Sequence, residues 1–192
     1  TAGHHLYSAV QPLCAHIGDR LIPVGSAFTI GRPGIIASAY HVVHDALQYH
    51  PDGDRLRQEP WPRDGSHLAP LGVSLLHRHT SAPGIQTLLV WPLETMHGAP
   101  PSDILFGFAT QQATSPFIAM PLSFNVPRVG SRVSVLGYGA MRTGSEGLSR
   151  ERIEHGDPSE LLTAGLDLRV HEGRITHIFA QRFSTAFIGG PT

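Results

Sequence analysis

The chain has 192 residues, with 14 Lys+Arg against 15 Asp+Glu and a net charge of -1, so it carries no electrostatic footprint for nucleic acid or acidic lipid. At this length folding buries roughly 70% of the extended chain's surface, enough for a real core. Its 21 glycines and 16 prolines are spread along the sequence, which argues against long helices and for many short strands joined by turns.

No apolar run approaches the roughly 18 residues that span a bilayer, and no basic stretch followed by an apolar one marks a signal peptide. A soluble, cytoplasmic protein without membrane or nucleic-acid partners is expected. Residue 1 is Thr, which reads as a processed or partial start. Cys14 is the single cysteine, so a disulfide framework and a thiolate metal cluster are both excluded, and its apolar neighbours Pro12, Leu13 and Ala15 predict plain burial. Every basic residue is Arg. Without Lys there is no Schiff-base chemistry, no phosphate-loop lysine and no Ser-Lys dyad. General-base work then falls to Asp, Glu or one of the 13 histidines.

In chain order, "LYSAVQPLCAHIG" predicts a strand, and "LIPVGSAFTIG" with "GIIASAYHVV" predicts two more, turned at Gly31 to Gly34. Weak helical periodicity follows His41. Residues 50–66, "HPDGDRLRQEPWPRDGS", are polar and rich in Pro and Gly and read as a surface loop. "LGVSLLHRHT", "IQTLLVWPLETM" and "GAPPSDILFGFA" complete six strands before residue 110, the last with Asp103 at its head. "TQQATSPFIAM" is a polar connector. Beyond it come a strand at "RVSVLGYG", with Gly137 and Gly139 as turn glycines, and a polar loop over 140–160. A hairpin closes the pattern, pairing 166–170 with 174–180 across "HEG", where Gly173 supplies a positive φ. Arg150, Glu151, Arg152 and Glu154 read as a solvated face, and Trp61 and Trp91 as packing residues.

Two residues carry chemistry best. His41 follows an apolar strand, which fixes its ring at a strand end. Asp103 leads another apolar strand, where a carboxylate is costly to bury unless it accepts hydrogen bonds from a partner such as an imidazole. Taken alone, Asp103 reads as a cap for the turn after Pro100 and Pro101.

"GSAF", "SAYHVV", "SDILFGF", "VSVLGYG" and the terminal "GGP" resemble, in that order, the landmarks of trypsin-like (chymotrypsin-fold) serine peptidases, and more narrowly their disulfide-free bacterial and intracellular members. The resemblance runs from about residue 6 to the end. It implies an all-β fold of two six-stranded antiparallel β-barrels: 1–109 carrying His41 and Asp103, and 110–192 forming a second barrel that is incomplete at its C-terminus. It implies His41 as general base and then acid, Asp103 as its orienting carboxylate, and Gly189 and Gly190 as the back of the turn that makes the oxyanion hole. The implied substrate is a protein or peptide, with no cofactor and no metal, and a regulatory partner or fused domain is compatible with it.

The sequence departs from the family at the third member. Ile188 stands where the nucleophilic Ser belongs, preceded by Ala186 and Phe187, and Ser184 and Thr185 lack the glycine context. The expectation is that the chain gives an incomplete account of a full peptidase domain, with the Ser at or beside position 188. The alternative is an inactive pseudopeptidase that binds a partner in its cleft. A third reading is a His-rich metal hydrolase, from the pairs His41/His44, His77/His79 and His4/His5. It lacks an HExxH motif or a carboxylate at supporting spacing.

Overall fold

Ile17 pairs with Arg20 across a two-residue turn in which Gly18 takes a φ of 61°, the left-handed conformation that tight hairpin turns demand. That turn joins β1 (Val10–Ile17) to β2 (Arg20–Thr29), the first hairpin of the computed structural model. The structure describes residues 6, 8–31, 34–58, 72–82, 85–99, 102–109, 117–123, 125–138, 147–157, 159 and 167–178. The expectations placed on His4, His5, Trp61, Gly139, Ser184, Thr185, Ile188, Gly189 and Gly190 lie outside those residues.

Four further strands complete the N-terminal half: β3 (Ile35–Ala39), β4 (Val73–Ala82), β5 (Ile85–Ala99) and β6 (Ile104–Ala109). Their antiparallel order is β1-β4-β5-β6-β3-β2, and β2 returns to β1, so six strands close a barrel. All six correspond to the runs predicted from sequence. β5 is long because it serves two neighbours, β4 up to Pro92 and β6 from Leu93 onward. Pro92 lacks a backbone donor, and it sits where the strand changes partner and a bulge follows at Leu93/Thr95.

Alternation along each strand fills the interior. Leu13 and Ala15 of β1 meet Ala27, Ile36, Leu75, Trp91 and Leu105 in one buried cluster, and Phe117 enters it edge-on to Trp91 at 5.1 Å. Val10 and Cys14 face the other way, into a second cluster that C-terminal residues Tyr138, Leu148 and Ile153 cover. Both faces of β1 are thus buried. That is why its apolar residues, Val10, Leu13, Cys14, Ala15 and Ile17, do not alternate with polar ones.

The C-terminal half supplies β7 (Arg132–Tyr138), the short β8 (Leu148–Ser149) and β9 (Leu168–Arg174). Leu148 pairs with Leu21, which extends the barrel wall by one short strand. β7 and β9 form a separate two-stranded sheet. A second barrel is not seen among the described residues.

Three local expectations are corrected. Residues 168–174 do not turn at "HEG". They run straight as β9 and pair with β7, Val133 opposite Gly173, because the distant strand offers a seven-residue ladder that a local turn cannot. Gly137 is no turn glycine but lies inside β7, where a Cβ would meet the Ser26 hydroxyl at 3.1 Å. Within the expected loops, helix α2 (Gly53–Gln58) buries Leu56, and helix α3 (Arg150–Glu154) buries Ile153 beneath an Arg150–Glu154 pair at 2.7 Å. Ser149 caps α3 by accepting from the Arg152 amide.

Leu75 is fully enclosed inside the barrel, opposite Leu13 on one side and Trp91 on the other. Leu75→Ala is expected to cost about 2–5 kcal/mol, through lost transfer energy and an unfilled cavity. In urea titration the midpoint falls while the slope stays that of the parent.

Candidate active site

β3 ends at Ala39 and passes directly into helix α1 (Tyr40–Ala46), so His41 is the second residue of a helix rather than the end of a strand. The helix is seated by Val43 and Ala46, both buried, and by Val42, which packs against the interior cluster. Its first amides need acceptors, and no side chain of its own N-cap, Ala39, supplies one.

Asp103 supplies it from across the sheet. One carboxylate oxygen accepts from the His41 backbone N–H at 2.9 Å, the other from His41 Nδ1 at 2.7 Å, and the Asp103 carbonyl accepts from the Tyr40 amide at 3.1 Å. Adjacent pairing of Ala39 with Ile104 brings the two segments into this register. Taken alone the sequence suggests a cap for the turn after Pro100 and Pro101; the group Asp103 is seen to cap is the helix that carries His41.

Asp103 makes these contacts at a φ of 50°, the one positive φ among the described non-glycine residues. Such a backbone costs about 1–3 kcal/mol, less for Asp than for bulkier residues. Each hydrogen bond to a charged group returns about 1.5–3 kcal/mol. Partial exposure makes the return smaller than that, since the His41 and Asp103 side chains are 51% and 31% accessible. The ring is thereby oriented, and a carboxylate at Nδ1 selects the tautomer with the proton there and the lone pair on Nε2.

Around this pair, Tyr40 stacks on His44 with centroids 5.5 Å apart, and burial pushes the Tyr40 hydroxyl up to about 12. His44 and Asp45 approach to 3.6 Å. Among the described residues no group of three His, Cys, Asp or Glu side chains could hold a metal ion. His77 is buried inside the barrel beside Phe117, at a ring distance of 5.8 Å, and not beside His41.

Sequence reasoning missed a Ser–His pair. His16 Nε2 lies 2.6 Å from Ser74 Oγ, between β1 and β4. Ser74 is fully buried in the barrel wall, so no substrate can reach its hydroxyl, and the pair is structural. The signal was invisible locally, because strand register alone brings the two residues together. Burial holds the His16 ring below its usual value, Arg150 adds to the depression and Glu154 opposes it. The unfolded chain therefore takes up a proton first as the pH falls below 6.5. The contribution of His16 is present above that value and is lost on acidification through its folded value. Wild type is expected to lose more unfolding free energy between about pH 7 and pH 5 than His16→Gln does, as read from urea midpoints at each pH.

For the His41 pair, Asp103→Asn removes the acceptor that fixes the proton on Nδ1. Ring-nitrogen NMR shifts of neutral His41 are expected to move toward the Nε2–H tautomer, with the barrel still folded.

No family model matches the chain, and no curated protein does either. Among solved structures the chain is similar to the MamO protease domain from Magnetospirillum magneticum, at 14% sequence identity and a TM-score of 0.52. The match covers 91% of this chain and 63% of that one. At this identity the likeness establishes a protease-like β-barrel fold. No described helix is long and apolar enough to cross a membrane.

Proposed function

We propose that the chain belongs to a serine endopeptidase of the trypsin-like type, contributing His41 as general base and acid and Asp103 as its orienting carboxylate. The observation that carries this reading is the double grip of Asp103 on His41, at 2.7 Å to the ring and 2.9 Å to the amide, held at a strained backbone. A base that must take a proton at Nε2 needs Nδ1 protonated and anchored. The likeness to a protease domain supports the same fold. In this reading 1–109 and 110–192 are the two barrels, and the exposed Val135 and Val170 of the β7–β9 sheet are residues a second barrel would use.

The reaction is acyl transfer. A serine hydroxyl at or beside position 188 attacks the scissile carbonyl as His41 removes its proton, with Gly189 and Gly190 shaping the turn that donates to the oxyanion. His41 then returns the proton to the leaving amine, and water releases the acyl group. The substrate is a protein or peptide, the compartment cytoplasmic, and no cofactor is used.

Ile188 in the present sequence favours a second reading, a pseudopeptidase that offers the cleft to a binding partner. A fluorophosphonate probe on the natural full-length protein separates the two. The peptidase reading expects covalent labelling that His41→Ala reduces by about 100-fold or more. Absence of labelling on folded protein whose gene encodes Ile at position 188 establishes the second reading.

A further inference from the structure

Gly25 opens the "GSAF" stretch on β2, and nothing in the proposed mechanism uses it. A Cβ built there would lie 2.6 Å from Val42 Cγ1 and 3.1 Å from Cγ2. Val42 is the residue after His41. Carbon atoms pack at about 3.5–4.0 Å, so a methyl at position 25 requires about 1 Å of retreat. Val42 cannot turn aside, because a β-branched residue in a helix keeps essentially one χ1 rotamer.

β2 cannot yield either. The next residue, Ser26, is held from both sides: the Tyr138 amide of β7 donates to its hydroxyl at 2.7 Å, and the Ser38 hydroxyl donates to its carbonyl at 2.8 Å. The compliant part is helix α1. Its position sets both bonds to Asp103, and a retreat of about 1 Å carries either of them past the limit of a hydrogen bond.

We infer that Gly25 is a positioning residue for His41: the space left by its absent side chain is the socket in which Val42 seats, and the depth of that socket sets the His41 ring against Asp103. The consequence for catalysis rests on the peptidase reading. The geometry does not, and it also makes β7 a participant, since Tyr138 braces the floor of the socket.

The test is a cycle of Gly25→Ala, Val42→Ala and the double variant in the full-length protein. It is read by the ring-nitrogen NMR shifts of neutral His41 and by thermal melting. Wild type and Val42→Ala are expected to show the Nδ1–H tautomer. Gly25→Ala is expected to lose it while melting cooperatively, and the double variant to regain it, since trimming Val42 reopens the socket. Should Gly25→Ala fail to fold, recovery of both fold and tautomer in the double variant carries the same conclusion. Retention of the Nδ1–H tautomer in folded Gly25→Ala, or a double variant without it, overturns the inference. Fluorophosphonate labelling in the same series is expected to fall about 100-fold in Gly25→Ala and to recover in the double variant. A wild type that never labels defeats the peptidase reading and leaves the tautomer cycle to decide this one.

Discussion

β1 uses both of its edges, pairing with β2 along its whole length and with β4 at Leu13–Ala15, and that double pairing turns a row of six strands into a closed wall. Closure has a geometric price in register, met by the bulge at Leu13/Cys14 and by the change of partner along β5. With the wall closed, β3 and β6 have no freedom to slide. Ile35 to Ala39 face Phe108 to Ile104 in an unbroken ladder, and the end of that ladder places Asp103 beneath the start of helix α1. The His41–Asp103 pair is therefore a product of strand register, with the carboxylate completing what the register begins.

The same wall is gripped from outside. Tyr138 donates through its amide to Ser26 and through its hydroxyl to the Val10 carbonyl at 3.3 Å, while Leu148 extends the sheet beside Leu21. The connector joins in, since the Met120 amide donates to the Thr29 carbonyl at 2.8 Å and Phe117 lies among the core side chains. The two halves of the chain share a core instead of meeting at a wet interface.

The six barrel strands were legible in the sequence because each is a short apolar run bounded by Gly, Pro or polar residues. The His–Asp pairing was legible through the order and context of "SAYHVV" and "SDILFGF". Helix α2 was hidden because a polar stretch that buries little beyond Gly53 and Leu56 carries no periodic stripe. The course of β9 was misread because Gly173 signals a turn locally, whereas its partner Val133 lies far away in sequence. The left-handed backbone of Asp103 and the fit of Val42 over Gly25 leave no local signature at all. They arise from distances across the sheet that only the folded chain fixes.

Cys14 acquires a use from where it sits. Its thiol lies on the outer face of β1, fully enclosed among Leu21, Leu76, Tyr138 and Ile153, and burial pushes its ionisation far above the ordinary range. Thiolate chemistry there must wait until the cover formed by β7, β8 and α3 lifts from the barrel. The chain's lone cysteine is thus protected for as long as that cover stays in place, and its reaction with a thiol reagent reads out local opening there.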